Sequence, residues 1–195
     1  GFLNDYEFLI KNINSEGKNS KKFKNYGNSF ISGIYQYNTS FPLIKENTNE
    51  LNTLIPKISF KISPEHSKKP SDQSRIDVNN VYSIARLSND DIIEPGSSIT
   101  YGLNYSKFNK IKSRQIFDFK LANNIRLKDS TSILKSNQMN QKTSNFFGEL
   151  NFNPNKLFNI NYNTSLKNDL SSVSYENLKT EFKLRNLNTT FDYLN

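Results

Sequence analysis

Polar and apolar side chains alternate along most of this chain with a period of two. Ile99, Tyr101, Leu103 and Tyr105 take one parity, while Ser98, Thr100, Gly102, Asn104 and Ser106 take the other. Successive side chains of a strand point to opposite faces, so this is a strand with one apolar and one polar side. Just upstream, Ile76, Val78, Tyr82 and Ile84 stand against Asp77, Asn79, Ser83 and Ala85, which predicts a partner strand. An acidic turn ending in Pro95 and Gly96 joins the two, and the rest of the chain is organised around this hairpin, Arg75 to Ser106.

The same pattern recurs on both sides of it. Tyr6, Phe8 and Ile10 predict a strand near residues 4–14, and Ile31, Gly33, Tyr35 and Tyr37 predict another over 29–41, ended by Pro42. Residues 43–53 read as a polar linker. Between Pro56 and Pro64, Ile58, Phe60 and Ile62 alternate with Lys57, Ser59, Lys61 and Ser63. Phe117, Phe119 and Leu121 oppose Asp118, Lys120 and Ala122, and a polar segment over 126–143 follows. Phe146, Gly148, Leu150 and Phe152 lead to a predicted turn at Asn153, Pro154 and Asn155. Phe158, Ile160, Tyr162 and Leu166 mark the next strand, and Leu178, Thr180, Phe182 and Leu184 the one after it. A two-residue turn at Arg185 and Asn186 then leads to Leu187, Thr189, Phe191 and Tyr193. The total is about ten strands, many of them long enough for the ~9 to 11 residues that a tilted transmembrane strand needs. In the second half the connections alternate between longer and short, as in outer-membrane barrels, so the short turns at 153–155 and 185–186 are assigned to the periplasmic side.

Composition sharpens this picture. Only 34% of the chain is hydrophobic and the mean hydropathy is −0.71, yet aromatics reach 13%. A soluble domain ordinarily carries more aliphatic mass, whereas a membrane barrel places apolar residues at alternate positions and keeps its lumen polar. Regular alternation sets the chain apart from a disordered one. No apolar run is long enough for a transmembrane helix, and no basic-then-apolar leader is present. The chain starts at Gly1 without methionine and stops at Asn195 inside an alternating segment, so it reads as an excerpt of a longer protein. The net charge of +8 raises the question of nucleic acid. Lys18, Lys21, Lys22 and Lys24, however, have only Phe23 and Tyr26 near them and no arginine, so a solvated loop is expected and no nucleic-acid partner.

Reactive chemistry is scarce. Cysteine is absent, so disulfide and thiol chemistry are excluded within this span. The single histidine, His66, sits among Lys68, Lys69 and Pro70 without a neighbouring carboxylate, which reads as a solvated loop side chain. The seven glycines are dispersed and form no phosphate loop, and no His/Cys set matches a zinc site. Asp90, Asp91 and Glu94 offer oxygens but lack the spacing of a calcium loop. Matches to the glycosylation triplet at Asn38 and Asn188 are what an Asn- and Ser-rich chain contains by chance. Tyr101 and Tyr105 fit an interfacial aromatic girdle or plain strand propensity equally well. The expectation is therefore no enzyme, no cofactor and no metal, with function residing in the sheet itself.

One succession of residues carries a resemblance. Asp77, Asn80, Tyr82, Ser83 and Arg86 form D-x-x-N-x-[aromatic]-S-x-x-R, Asp91, Glu94 and Gly96 form D-x-x-E-x-G, and Gly102 lies in the strand that follows. This order resembles the barrel domain of the lipopolysaccharide-assembly outer-membrane family LptD, also called OstA, and most of all its Asn/Lys-rich versions from bacteria with AT-rich genomes. The resemblance extends from LNDYEFLIKNIN through TSNFFGELNFNPN to FDYLN. It implies an all-β fold, an antiparallel up-and-down transmembrane β-barrel in a Gram-negative outer membrane. Residues 1–195 would form part of the wall of that single domain, with a periplasmic domain and further strands elsewhere. It also implies assembly of lipopolysaccharide (LPS) into the outer leaflet. The implied partners are LPS, outer-membrane lipids, a lipoprotein plug of the LptE type and a periplasmic LPS-transport bridge. Enteric members of the family link their domains by disulfides, for which this span has no cysteine. The motif residues are expected to be structural. On this reading Lys57, Lys61, Lys120, Lys179 and Lys183 face a polar lumen and its anionic glycolipid, and Leu103, Ile160 and Phe182 face lipid. Two alternatives stay open: a passive porin-like channel, and a soluble glycan-binding β-sandwich.

Overall fold

The computed structural model describes residues 1–19, 25–64, 75–87, 93–129, 133 and 138–195. Ten strands form one antiparallel sheet. They are β1 (Leu3–Ser15), β2 (Asn28–Ser40), β3 (Leu43–Glu46), β4 (Glu50–Ile62), β5 (Ser97–Asn109), β6 (Arg114–Arg126), β7 (Phe146–Asn155), β8 (Phe158–Leu166), β9 (Val173–Leu184) and β10 (Leu187–Leu194). The path runs up and down in sequence order, with β3 set aside against the start of β4. The sheet is unclosed, and β1 and β10 are its edges.

Register puts like with like. Leu103 of β5 opposes Leu121 of β6, and Tyr105 opposes Phe119 and Leu54, all on the apolar face. Thr100 opposes Asn124 and Ser59 on the polar face. In β1, β2 and β4 to β7, aromatic ladders cross the apolar face, with Tyr6 tilted against Tyr37, Tyr37 stacked near Phe60, and Phe117 between Tyr105 and Phe152. That face is uncovered. Every described strand belongs to the one sheet, and Tyr6, Phe8, Ile58, Phe60, Tyr101, Phe182 and Phe191 are exposed. The polar face is the buried one over its middle strands, where Gln36, Ser59, Lys61, Ser98, Thr100, Asn124, Arg126 and Glu149 are shielded from solvent. A water-soluble domain has the reverse arrangement.

The strands end at two rims: the connections after β1, β4, β6 and β8 leave from one, and those after β2, β5, β7 and β9 from the other, where the turns at 110–113, 156–157 and 185–186 are short. The rhythm read from the second half of the sequence thus extends to the first. The two-residue turn at Arg185 and Asn186 is as predicted, with Leu184 opposite Leu187.

Four expectations fail. The segment over 75–85 is not a strand but a run of turns laid on the polar face, so the central hairpin has only its second arm. Residues 43–53 are not a linker, because they hold β3 and the start of β4. Pro56, read as a boundary, lies inside β4 at the junction where pairing with β3 gives way to pairing with β2. Its carbonyl accepts from Phe41 N–H (3.1 Å), so its missing donor also points at that junction and breaks no ladder bond. Asn153 and Pro154 do not reverse the chain; they form a bulge in β7, and the turn comes at Lys156 and Leu157.

Candidate functional site: a loop fastened to the polar face

Asp77 explains why the segment after Arg75 does not extend. Its Oδ1 accepts the N–H groups of Asn79 (2.8 Å) and Asn80 (3.1 Å), and its own N–H donates to Asn80 Oδ1 (2.9 Å). Val81 N–H donates to the Asp77 carbonyl (3.0 Å) and Ser83 N–H to that of Asn80 (2.9 Å). Short polar side chains here take up the backbone groups that a sheet ladder would need. Ile76, Val78 and Val81 then pack with Ala122, Ile133, Met139 and Phe147 into a small apolar cluster, with Tyr82 against it.

Arg86 and Glu94 fasten the segment. Arg86 Nε donates to Glu94 Oε2 (2.6 Å) and Nη2 to Oε1, a two-pronged pair. Arg86 also donates to the Val81 carbonyl (2.9 Å), Thr100 Oγ1 (3.1 Å) and Ser98 Oγ (3.1 Å). Lys61 Nζ donates to the carbonyls of Ser83 (2.8 Å) and Ile84 (3.3 Å) and to Glu94 Oε2 (3.3 Å). Arg126 reaches Glu94 Oε1 through Nη1 (2.7 Å) and the Pro95 carbonyl through Nη2. None of these four side chains is more than 3% exposed. Burial alone would push the Glu94 carboxyl up, but Arg86, Lys61 and Arg126 around it hold it well below the usual carboxylate range. Losing one member of such a buried set is costly because the others keep their charge without a partner.

Two glycines shape the seat. Gly96 has a φ of +80°, a conformation that side-chain-bearing residues rarely adopt, and its N–H and C=O pair with Pro64 O and Ser63 N (3.2 Å each). At Gly102 a Cβ would collide with the Leu121 carbonyl and the Tyr82 hydroxyl, so the Tyr82 ring lies where a side chain would be. Burial pushes the Tyr82 phenol above its ordinary value. The hydroxyl has no hydrogen-bond partner.

The fastening spreads over five strands. Gln36 of β2 donates to the Tyr82 carbonyl (2.6 Å), and Asn79 reaches Glu149 of β7. Lys120 of β6 bonds both Asn79 (2.9 Å) and Glu149 (3.1 Å). From Glu149 a side-chain ladder continues through Asn151, Asn161 and Asn163 on β7 and β8. At its start the loop also reaches the polar face of β9, where the Arg75 guanidinium lies over the Tyr175 ring (3.4 Å); further along the strand Lys179 and Lys183 pair with Glu181 (3.5 Å each).

The predicted motif is therefore brought together in one place. Asp77 and Asn80 make the turn, Tyr82 meets Gly102, Ser83 offers its carbonyl to Lys61, Arg86 holds Glu94, and Gly96 turns the chain into β5. Asp91 lies outside the described residues, as do Asp90, His66, Lys21, Lys22 and Lys24. Of the lysines expected to face the lumen, Lys61 and Lys120 are on the polar face with their amines engaged, and Lys57 stands 5.9 Å from the centre of the Tyr82 ring. Arg126, Gln36, Asn79 and Glu149 escaped the sequence reading. Arg126 was legible in principle, since it continues the polar parity of Asp118, Lys120 and Asn124, but it stood where a polar connection was expected to begin.

No curated protein matches the chain. The family model for LptD, described as LPS transport system D, matches residues 10–195. The match begins within β1 and takes in β2 to β10 and the fastened loop between β4 and β5. The chain belongs to the LptD family, the LPS transport system D proteins.

Proposed function

We propose that this chain is an arc of the wall of an outer-membrane β-barrel, part of one domain of an LptD protein that assembles LPS into the outer leaflet. One observation carries the reading: a single sheet whose apolar face is bare while much of its polar face is buried. Water disfavours a continuous apolar surface of this extent, whereas acyl chains suit it. In hydrocarbon each unpaired backbone group costs several kcal/mol, so β1 and β10 would each pair with a further strand to close the barrel. The rim of short connections would be periplasmic and the rim of long ones outermost.

On this reading the polar face lines the lumen and accommodates the phosphorylated sugar portion of LPS. The acyl chains leave sideways through a weak seam between first and last strands. A lipoprotein plug of the LptE type and the periplasmic bridge are the expected partners. Asp77, Asn80, Tyr82, Arg86, Glu94, Gly96 and Gly102 serve structure, holding a loop inside the lumen. A passive channel is less well supported, because the segment over 75–87 occupies the polar face of the central strands. A β-sandwich lacks its second layer among the described residues.

Depletion of the full-length protein tests the role, with surface LPS as the readout. Delivery should fall, and unchanged delivery would refute the assignment. Spin labels placed singly at Leu103, Ile160 and Phe182 should be quenched from the lipid phase; contact with an enclosed protein interior would sink the barrel-wall account.

A further inference from the structure

The fastened loop does not seal the polar face beneath it. Val78, Asn79 and Tyr82 on the loop form one wall of a cavity of about 480 Å³, a volume within the ~300–1,000 Å³ range of small-molecule sites. The sheet supplies the other wall, through Asp5 of β1, Asn38 of β2, Lys57 of β4, Asn104 of β5 and Lys120 of β6. On β2, β4 and β5 these positions lie nearer the rim of short turns than Gln36, Lys61 and Thr100, which hold the loop. The cavity therefore sits on the flank of the loop that faces that rim.

Its walls mix donors, acceptors and carbon. With the Asn104 amide turned to donate to the Leu103 carbonyl (3.1 Å), its oxygen accepts one N–H of the Lys57 amine (2.9 Å). No other acceptor meets that amine among the described residues, so either protonation state leaves at least one N–H to spare. Lys57 is only half-buried, and its Nζ stands 5.9 Å from the centre of the Tyr82 ring, so the amine lies between two residues of the cavity lining. On the β1 wall Asp5 is an exposed carboxylate. Lys120 is already balanced by Glu149 (3.1 Å) and Asp118 (3.7 Å). Tyr82 has its hydroxyl enclosed against Gly102 yet is itself only half-buried, so it lines the cavity with carbon rather than oxygen.

We infer that this cavity binds a neutral sugar ring. A pyranose carries hydroxyls that donate and accept around its rim and a C–H face that suits an aromatic surface. The cavity answers each: the Lys57 amine donates, Asp5 accepts, the Asn38 and Asn79 amides can do both, and Tyr82 offers carbon. A phosphate would meet Asp5, Asp118 and Glu149 along with the two amines, and like charges brought together cost binding energy. The inference deepens the barrel reading, from which it takes the source of the sugar: the saccharide of a glycolipid arriving from the rim of short turns. Within that saccharide the cavity selects uncharged rings over phosphates.

The test uses full-length protein in phosphatidylcholine nanodiscs, which carry no sugar headgroup, with saturation-transfer NMR as the readout. The probes are the methyl glycosides of glucose, galactose, mannose and N-acetylglucosamine. At least one should bind saturably, and its phosphate ester should bind no more tightly. Lys57→Met removes the amine, keeps the stem and should weaken the best probe by roughly two- to tenfold, the worth of one hydrogen bond. Ser40→Trp, which fills the cavity from β2, should abolish binding. The inference is overturned if no glycoside binds saturably, if the phosphate ester binds more tightly than its neutral parent, or if binding is unchanged in Ser40→Trp. Should Lys57→Met fail to fold, the comparison of ester with parent and the Ser40→Trp variant still decide. Absent sugar binding in a protein whose Leu103 label is quenched from the lipid phase would remove the cavity and leave the barrel; a Leu103 label shielded from lipid would remove the barrel itself.

Discussion

The polar faces of β4–β6 and of β9 look related in the sequence, since both carry lysines at positions of polar parity, Lys57, Lys61 and Lys120 on one and Lys179 and Lys183 on the other. In the structure they have little in common. Over β4–β6 the face is buried beneath the segment after Arg75, and its ions belong to one enclosed set around Glu94. Around Lys179 to Lys183 the face of β9 is open, and the two lysines share Glu181 at the surface. Parity tells which way a side chain points but not what meets it. An exposed ion pair contributes little to stability, whereas a buried set resists loss of any member because the rest remain charged.

Glu94→Gln would break the contrast most severely. It leaves Lys61, Arg86 and Arg126 buried without their common acceptor, and about 3–5 kcal/mol of stability should be lost. Urea unfolding of the full-length protein in detergent measures this. Glu181→Gln serves as the matched control and should leave the midpoint where it was. Equal effects from the two variants would mean that burial of the Glu94 set contributes nothing.

Gly102→Ala comes next. The added methyl meets the Leu121 carbonyl and the Tyr82 hydroxyl, so either the strand pairing or the ring must shift, at about 1–3 kcal/mol. Gly148→Ala is the milder comparison. There a Cβ comes 3.2 Å from the Thr164 methyl, a side-chain group free to give way. If the two substitutions have equal cost, the ring is not seated on Gly102.

These residues show what the sequence could and could not disclose. The parity of β5 to β10 and the turn at Arg185 and Asn186 were legible, because a strand with one bare apolar face must alternate. The succession from Asp77 to Gly102 was legible as a group, but its shape was not. Ile76 and Val78 alternate with Asp77 and Asn79 whether they build a strand or tuck beneath a turn. What decides between the two is a pair of side-chain caps, at Asp77 and Asn80, and an apolar cluster whose other members, Ala122, Met139 and Phe147, lie far along the chain. Pro56 misled for a related reason. A proline is tolerated where its donor would face a junction between two partner strands, and no local pattern reveals such a junction.

Acid should sharpen the same contrast. Glu94 titrates well below its unfolded value of ~4.3, so its contribution is fully present above that pH and is lost as pH falls toward the folded value. The slope is about 1.4 kcal/mol per pH unit in that window. Stability measured from neutral pH down to ~3 should therefore fall in the parent protein by more than in Glu94→Gln, which has no carboxylate there to protonate. Parallel curves for the two proteins would remove Glu94 as the acid-sensitive group.

The smallest effect is expected at the most buried phenol of the loop. The Tyr82 hydroxyl gave up water on folding and met no acceptor, so Tyr82→Phe deletes a group that is already a liability. The ring stays, and with it the packing against the apolar cluster and the cover over Gly102. The midpoint should move by less than ~0.5 kcal/mol, or rise slightly. A loss above ~1 kcal/mol would show that the oxygen has a partner after all, and the unpartnered polar atoms of this face would then need reassessment. Set beside Glu94→Gln, the near-silence of Tyr82→Phe separates the two ways in which the loop is held: a polar set in which every member is needed, and an apolar contact to which the oxygen adds nothing.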